Sequence, residues 1–440
     1  MADKNKIYKP KPISGYAEWL PEMRMIEMEW MDNIRAVFES YGFCNIETPS
    51  IEELDVLLAK GETDKEIYTL TRLQADEDDD KDARLGLHFD LTVPFARYTA
   101  QHFNDLVFPF KRYQMQRSWR GERPQKGRFR EFYQCDIDVI NIDNLPLHFD
   151  AEIPAIMYKA YQSLNIPPVE MRLSNRKILI GYLEGLGVSD ITTATRILDK
   201  LDKIGGEGVI ESLISDAKLT PDLAQKSLAL AAIKTTDDSF VASVKELGVK
   251  SDMLDEGLSE LAFVVNQLKQ QDIPLVVDLS IVRGFDYYTG TVLEVSLKGK
   301  DYGSIGAGGR YDDLAGSYIN KKLPGIGVSI GLTRLFSILM EDGYFDDRMR
   351  MSPADILVVM PDEDLRDNVL KTATTLRNRG YKVEMYHAAS KLKKQLSYAE
   401  KKGIPFIWFP PFKDGKPHEV KDMSTGEQKV ADPSAWEMPK

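Results

Sequence analysis

The spacing of hydrophobic residues along the chain predicts a helix near its start. Large apolar side chains recur every three or four residues from about Glu22 to Tyr41, and Gly42 stands where a helix would end. The segments 87–93 and 110–120 alternate between apolar and polar residues instead, as half-buried strands do. The second of these segments therefore predicts the first strand of a hairpin.

The hairpin is completed by residues 128–140, which have the same two-residue period, after the loop 121–127. Strand patterns return at 275–297 and at 325–331. The glycine-rich segment 302–314 between them predicts a turn.

Changes in the pattern along the chain predict three domains, as its 440 residues also suggest. Residues 1–174 and 271–342 form the predicted core domain. Residues 175–270 have helical spacing and few aromatic residues, which indicates a helical insertion. After a linker at 343–353, strands and helices alternate over 354–440, which indicates a separate α/β domain.

Composition excludes several classes of protein. The 57 Lys and Arg residues against 69 Asp and Glu residues give a net charge of −12, so an indiscriminate polyanion binder is not expected. The two cysteines, Cys44 and Cys135, form no metal motif and suit a reducing cytoplasm. No apolar run is long enough to span a membrane, and the polar, lysine-rich N-terminus does not resemble a secretory signal.

A strongly basic segment interrupts this acidic background. Residues 111–130 contain eight Lys and Arg residues and one acidic residue, Glu122. Because arginine can bind phosphate through two parallel hydrogen bonds, this hairpin is a candidate site for a triphosphate or an RNA backbone. The alternative is a solvated basic face, or arginines paired with acids elsewhere in the chain.

Two predicted strands carry polar residues on one face. Asp90 and Thr92 share a face of the first strand, and Gln134 and Asp138 share a face of the second. Half-buried carboxylates are unfavourable without a partner, so these residues predict a polar pocket for a small cationic or hydrogen-bonding ligand. The alternative is that Asp136 or Asp138 pairs with an arginine of the hairpin.

Five segments resemble the histidyl-tRNA synthetases, which are class II aminoacyl-tRNA synthetases. The helix at 23–41 with Pro49 resembles their motif 1, and RGERPQKGRFREF (120–132) resembles their motif 2. GIGVSIGLTRL (325–335) resembles motif 3. RGFDYYTG (283–290) and GAGGRYDDL (306–314) resemble two signatures of the histidyl enzymes.

The resemblance implies an α+β catalytic core built on an antiparallel sheet flanked by helices, followed by an anticodon-binding domain. The implied reaction activates L-histidine with ATP to histidyl-adenylate and pyrophosphate, then transfers histidine to the 3′ end of tRNA-His. The resemblance also implies a homodimer in the cytoplasm. Mg²⁺ is expected to bind through the ATP phosphates.

Four arginines are implied to act on ATP. Arg120 would contact the α-phosphate and Arg128 the γ-phosphate, while Arg334 would hold the nucleotide from the other side. Arg283 would act at the α-phosphate as a fixed cation, so Arg283 and Arg120 are the expected catalytic residues. This agrees with the chemistry, since an anionic carboxylate must attack an anionic phosphate and needs positive charge and positioning.

Six residues are implied to line the histidine pocket. Asp90, Thr92 and Gln134 suit the α-amino group, and Asp138 with Tyr288 suits the imidazole nitrogens. The full set is Asp90, Thr92, Gln134, Asp138, Tyr287 and Tyr288.

Three alternative functions fit the sequence less well. A non-catalytic, synthetase-like regulatory subunit of histidine biosynthesis lacks the anticodon-binding domain, whereas residues 355–440 are present here. A class II synthetase for another amino acid would not be expected to carry RGFDYYTG and GAGGRYDDL. A pure RNA-binding module would not explain Asp90, Gln134 and Asp138 on aligned faces.

Overall fold

The computed structural model describes residues 9–58, 66–72, 84–281, 288–313, 315–316, 318–413 and 415–439. The chain divides into two compact units. One comprises Met1–Ala17 and Trp30–Ile338, and the other comprises Glu18–Glu29 and Leu339–Lys440. Within the described residues, no helix combines the length and the apolar composition needed to cross a bilayer.

A large mixed sheet organises the first unit. Its strand order is β1-β4-β5-β11-β10-β9-β6-β8-β7, and the six strands from β4 to β6 in this order are antiparallel. A separate pair, β2 and β3, is also antiparallel. The strands of this unit in the described ranges are β1 (Cys44–Asn45), β2 (Ile51–Glu53), β3 (Leu85–Leu87), β4 (Phe110–Trp119), β5 (Glu131–Ile140), β6 (Val169–Asn175), β7 (Lys234–Thr235), β8 (Val276–Asp278), β9 (Tyr288–Leu297), β10 (Ser304–Tyr311) and β11 (Gly325–Gly331).

Helices flank this sheet, so the predicted α+β core on an antiparallel sheet is confirmed. Tyr161 donates a hydrogen bond to the Ile305 carbonyl at 3.1 Å, which places the helix that contains it against the sheet. The helices described up to residue 341 are α1 (Pro21–Ser40), α2 (Leu54–Leu58), α3 (Thr92–Gln101), α4 (Phe149–Ser163), α5 (Arg176–Gly185), α6 (Ile191–Leu198), α7 (Leu201–Ser215), α8 (Pro221–Ala231), α9 (Phe240–Glu246), α10 (Asp252–Lys269) and α11 (Leu332–Glu341).

Helix α1 agrees with its predicted span because its periodic apolar side chains find partners within the first unit. Trp30 meets Phe336 edge to face at 5.4 Å between ring centroids, and Phe38 packs on Tyr113 at 5.9 Å. Trp30 and Phe38 are fully buried. This packing holds α1 on the sheet, as burial of an apolar stripe requires.

The second unit is built on a five-stranded sheet of order β13-β12-β14-β15-β16. The predicted alternation of strands and helices is confirmed through β14, whereas the last two strands were not predicted. Trp408 is fully buried in its core. Its elements are β12 (Ile356–Val358), α12 (Arg366–Asn378), β13 (Val383–Met385), α13 (Leu392–Lys402), β14 (Phe406–Phe409), β15 (Glu419–Asp422) and β16 (Gln428–Val430).

The structure corrects two predictions. The segment 87–93 is not a continuous strand, because β3 ends at Leu87 and α3 begins at Thr92. Pro94 suits the first turn of a helix, where its missing N–H is not needed. The segment 302–314 contains strand β10 rather than a turn, since its glycines serve close packing inside the sheet.

Candidate active site

Strand pairing in the first unit builds rows of side chains across three neighbouring strands. Arg112 on β4 lies opposite Asp138 on β5, which lies opposite Gly327 on β11. Two residues further along, Asp136 on β5 lies opposite Ser329 on β11. Directly paired residues point to the same face of a sheet, and so do residues two apart on one strand, so both rows face one side.

Glycines allow close packing on both faces of this part of the sheet. A Cβ atom on Gly327 would clash with the carboxylate of Asp138, and one on Gly308 would clash with the neighbouring strand at Gly327. A Cβ on Gly306 would clash with Met157 and Tyr161 of α4, on the opposite face of the sheet. The glycine-rich segment is therefore a strand that must approach its neighbours closely.

Asp138 is held by two partners at the bottom of the space so formed. Arg112 Nη2 lies 2.6 Å from Asp138 Oδ2, and the Tyr311 hydroxyl donates to Asp138 Oδ1 at 3.0 Å. Arg112 is fully buried, and its guanidinium lies 4.3 Å from the centre of the Phe95 ring. The predicted alternative of an arginine pairing with Asp138 is therefore correct, and Asp138 faces a cavity as well.

Three buried carboxylates share this region, and burial raises the pKa of each. The pKa of Asp136 rises to about 7, and those of Asp90 and Asp138 rise to about 6. The positive charge of Arg112 opposes the rise in all three. Three carboxylates around a single buried guanidinium favour a positively charged ligand group.

Asp90 reaches the same region from the start of helix α3 rather than from a strand. Its Oδ1 accepts a hydrogen bond from the Val93 N–H at 3.1 Å, as a helix-capping carboxylate does. Thr92 is the first residue of that helix. Asp90 and Thr92 therefore lie together as predicted, but at the start of a helix and not on a strand.

These residues line one cavity of about 420 Å³ in the first unit, a size typical of small-molecule sites. Its walls come from the loop between β4 and β5, from strands β5, β9, β10 and β11, and from the first residues of α3 and α11. The charged and hydrogen-bonding side chains in its lining include Asp90, Thr92, Arg120, Arg128, Gln134, Asp136, Asp138, Tyr288, Tyr311, Ser329 and Arg334.

Arg120 lies within reach of the acidic residues. Its Nε donates to the Phe89 carbonyl at 3.0 Å, and its guanidinium lies 5.1 Å from the centre of the Phe132 ring. Its charge also opposes the rise in the pKa of Asp90. Arg120 is thus fixed next to the carboxylate wall by contacts on two sides.

Arg128 and Arg334 form a second group of charges in the same cavity. Arg334 Nη2 donates to the Tyr302 carbonyl at 2.6 Å, and Arg128 Nη1 lies 3.2 Å from Glu122 Oε2. Burial lowers the pKa of Arg334, and the like charge of Arg128 lowers it further. Two arginines that repel each other across a cavity favour an anionic ligand between them.

Eight of the ten predicted site residues therefore line one cavity. They are Asp90, Thr92, Arg120, Arg128, Gln134, Asp138, Tyr288 and Arg334. Arg283 and Tyr287 lie outside the described residues, as does the acidic loop at 75–82.

Four lining or supporting residues were not predicted as site residues. Arg112 was counted with the basic hairpin, and only the observed register places it opposite Asp138. Asp136 was weighed only as an ion-pair partner. Tyr311 and Ser329 lie within the segments 306–314 and 325–335 that resemble family motifs, but neither was singled out there.

The comparisons with known proteins agree with this geometry. The family described as "Histidyl-tRNA synthetase" matches residues 15–335, and the family described as "Anticodon binding domain" matches residues 355–434. The chain is 57% identical to a "Histidine--tRNA ligase" of Thermobifida fusca over 98% of its own length and 99% of the relative's. It is 44% identical to a protein of the same name from Cutibacterium acnes, over 98% and 96% of the two chains.

A solved structure has the same architecture along nearly the whole chain. The histidyl-tRNA synthetase of Nostoc sp. PCC 7120 superimposes with a TM-score of 0.87 at 37% identity, covering 97% of each chain. The fold, the cavity and these matches lead to one conclusion. The chain belongs to the histidyl-tRNA synthetase family, the class II aminoacyl-tRNA synthetases that ligate histidine to tRNA.

Proposed function

We propose that the cavity in the first unit binds L-histidine at its carboxylate wall and ATP at its arginines. The observation that carries this proposal is the presence of two opposite charge environments in one cavity. Three buried carboxylates surround Arg112, while Arg128 and Arg334 repel each other. Histidine offers a cation and a hydrogen-bonding ring, and ATP offers a polyanion.

Asp138 is proposed to recognise the imidazole ring together with Tyr288. Arg112 and Tyr311 each engage one of its oxygens, so the carboxylate is held in a single orientation. Each carboxylate oxygen can accept two hydrogen bonds, so Asp138 can still accept one from an imidazole N–H in a fixed direction, and a ligand without a donor at that position loses this bond. The same wall carries Asp90, Thr92 and Gln134, which are proposed to hold the α-amino group.

The arginines are proposed to supply the positive charge for adenylate formation. An oxygen of the histidine carboxylate bonds to the α-phosphorus while the bond to pyrophosphate breaks. Arg120 is proposed to contact the α-phosphate, with Arg283 as a second cation there. Arg128 is proposed to bind the γ-phosphate, and Arg334 to hold the nucleotide. Fixed cations stabilise the charge that develops in such a transfer.

Mg²⁺ is proposed to enter as part of the ATP complex. Among the described residues, no group of three or more His, Cys, Asp or Glu side chains is spaced to hold a metal ion. Magnesium in nucleotide sites keeps several waters and binds mainly to phosphates, with one or two carboxylates. Glu122, which lines the cavity beside Arg128, is a carboxylate available for that role.

The tRNA is proposed to be bound through both its ends. The first unit would receive the 3′ acceptor end at the cavity, and the second unit would contact the anticodon. Helix α13 supports the second contact, because it carries Lys393, Lys394 and Lys401 at exposed positions. Local clusters of this kind allow RNA binding by a chain of negative net charge.

A homodimer is proposed to form through the surface around Pro49. Ile51 is 42% exposed there and borders a groove with Pro49 and Val56. The apolar face of α1 does not support this proposal, because Trp30 and Phe38 are buried within the chain.

The cytoplasm is the proposed location. The two cysteines, Cys44 and Cys135, are not joined by a disulfide. Reduced cysteines are typical of a reducing compartment, which is also where tRNA is aminoacylated.

The test of the proposed reaction is ATP–pyrophosphate exchange measured with each of the twenty amino acids. Histidine alone should support exchange. The variant Asp138→Ala should raise the histidine KM with little change in the ATP KM, whereas Arg128→Gln should raise the ATP KM. Exchange with another amino acid, or an unchanged histidine KM in Asp138→Ala, would contradict the assignment.

A further inference from the structure

Three hydrogen-bond acceptors in the cavity wall have no donor among the described residues. They are Asp90 Oδ2, Gln134 Oε1 and Asp136 Oδ1. The three residues line the same cavity, and none is more than 8% exposed. Buried acceptors without donors are unfavourable, so this wall is built for a ligand group that donates several hydrogen bonds.

Two of these acceptor residues, Gln134 and Asp136, are joined by hydrogen bonds through Ser329. Gln134 Nε2 donates to Ser329 Oγ at 2.7 Å, and Ser329 also forms a hydrogen bond with Asp136. An ionised carboxylate can only accept, so the single hydroxyl proton of Ser329 points to Asp136. Ser329 can then only accept from Gln134, which turns the amide oxygen of Gln134 away from Ser329.

Asp90 is oriented in a similar way, since its Oδ1 accepts from the Val93 N–H at 3.1 Å. Its other oxygen is left for a ligand. Asp138 differs from these residues, because Arg112 and Tyr311 engage its two oxygens. The unsatisfied acceptors therefore belong to Asp90, Gln134 and Asp136.

We propose that Asp136 is a histidine-recognition residue whose Oδ1, with Asp90 Oδ2 and Gln134 Oε1, forms a three-acceptor cradle for the protonated α-amino group. An ammonium group carries three N–H donors and one positive charge, which matches three acceptors that include two carboxylates. A neutral imidazole has one N–H and cannot satisfy all three. This proposal rests on the proposed function, in that histidine is taken to occupy this cavity.

Asp136 would act in two ways. It contributes an acceptor of its own, and through Ser329 it holds the amide of Gln134 with the oxygen available to the ligand. The pKa of Asp136 is raised to about 7, mainly by burial and in part by Asp138 and Asp90, while Arg112 and the hydrogen bond from Ser329 oppose the rise. A bound ammonium would stabilise the ionised form of the same carboxylate.

The test compares ligands that differ only in the amine. Calorimetry on the full chain would measure the affinity of L-histidine, of histidinol, which keeps the amine, and of 3-(imidazol-4-yl)propionate, which lacks it. Asp136→Asn should weaken binding of the first two by roughly tenfold to a hundredfold, the effect of losing a charged hydrogen bond. It should change the affinity for 3-(imidazol-4-yl)propionate and for ATP by less than twofold.

Two further variants separate the roles. Ser329→Ala keeps the charge of Asp136 but removes the hydrogen bonds that link it to Gln134. It should therefore weaken the binding of histidine and histidinol by less than Asp136→Asn does. Asp150→Asn is the matched control, because Asp150 is a buried carboxylate paired with Arg310 outside the cavity. It should leave all three affinities unchanged, and thermal unfolding confirms that each variant is folded.

The outcomes are distinct. An equal loss for histidine and for 3-(imidazol-4-yl)propionate in Asp136→Asn would overturn the cradle, as would an unchanged histidine affinity. If the unmodified chain exchanges pyrophosphate with histidine, such a result affects the cradle alone. If it does not, the proposed function itself fails.

Discussion

Replacing Arg112 with methionine would leave a buried carboxylate without its cation. In the folded chain Arg112 Nη2 lies 2.6 Å from Asp138 Oδ2, and both side chains are almost completely buried. The guanidinium also stacks over Phe95 at 4.3 Å. Methionine has a similar length and can fill the space, so the main perturbation is the loss of charge.

The expected loss follows from these contacts. Removing one partner of a buried ion pair destabilises a protein by about 3–5 kcal/mol, because the other charge stays buried and unpaired. Arg112 lowers the pKa of Asp138, which is about 6 when both residues are present. Without Arg112 that pKa rises further, so the ionised carboxylate is least favourable at high pH.

The sign of the pH dependence can be worked out from this value. The folded-state pKa of Asp138 lies above the ordinary 3.8, so ionisation of Asp138 reduces the free energy of unfolding as the pH rises through it. The loss in Arg112→Met should therefore be about 3–5 kcal/mol at pH 8. It should be smaller at pH 5, where Asp138 is protonated.

Urea unfolding at both pH values would measure the effect, with the double variant Arg112→Met/Asp138→Asn as the control. The double variant removes both charges of this pair and should recover the part of the loss that comes from the unpaired Asp138. The rest of the loss comes from Asp90 and Asp136, whose ionised carboxylates Arg112 also stabilises. A loss below about 1 kcal/mol at pH 8 would refute the reasoning, for it lies in the range of exposed ion pairs. An equal loss at pH 5 would refute the role given to ionised Asp138.

Four further predictions concern the site and the assembly. Arg283→Ala should lower the rate of histidine-dependent pyrophosphate exchange by about 10²-fold or more, the effect of losing a preorganised donor; near-normal exchange would exclude the role. Gly327→Ala should abolish measurable histidine binding in calorimetry while ATP still binds, because the added methyl group would clash with Asp138. Unchanged histidine binding would contradict this prediction. Asp136→Asn should raise the free energy of unfolding of the unliganded chain at pH 8. A folded-state pKa of about 7 in place of 3.8 means that ionised Asp136 destabilises the folded chain by as much as about 4 kcal/mol, and asparagine removes that charge. The gain should shrink towards pH 4, and urea unfolding that shows no gain at pH 8 would contradict the prediction. Light scattering at micromolar concentration should give the mass of a dimer, and a monomer would refute the proposed assembly.

Much of the fold was predictable because its signals are local. Helix α1 and strands β4, β5 and β11 lie where their periods indicate. The register of the hairpin was not predictable in this way, because pairing the strands symmetrically about the predicted loop 121–127 would place Arg112 opposite Asp136, whereas the structure pairs Arg112 with Asp138. Most of the site residues were found by motif likeness and by the alternation of β5.

The errors arose where local pattern and tertiary contacts disagree. The alternation at 87–93 suggested a strand, but the Asp90 carboxylate caps α3 and so begins a helix there. The glycines of β10 suggested a turn because glycine is common in turns. Close approach between strands, seen at Gly308 and Gly327, requires the same residue for a different reason.

By itself, then, the sequence determined most of the elements, the family and the types of side chain available for chemistry. Only the tertiary structure decided which charges are buried together. In the sequence Arg112 is one more basic residue of the hairpin, whereas in the structure it is buried opposite Asp138, on the strand that pairs with β11 at Gly327. Tyr311 and Ser329 joined the site in the same way. The physical reason is that periodicity indicates which side chains of a segment are exposed to solvent and which are buried. Contacts between segments distant in the chain depend instead on the pairing of the whole sheet.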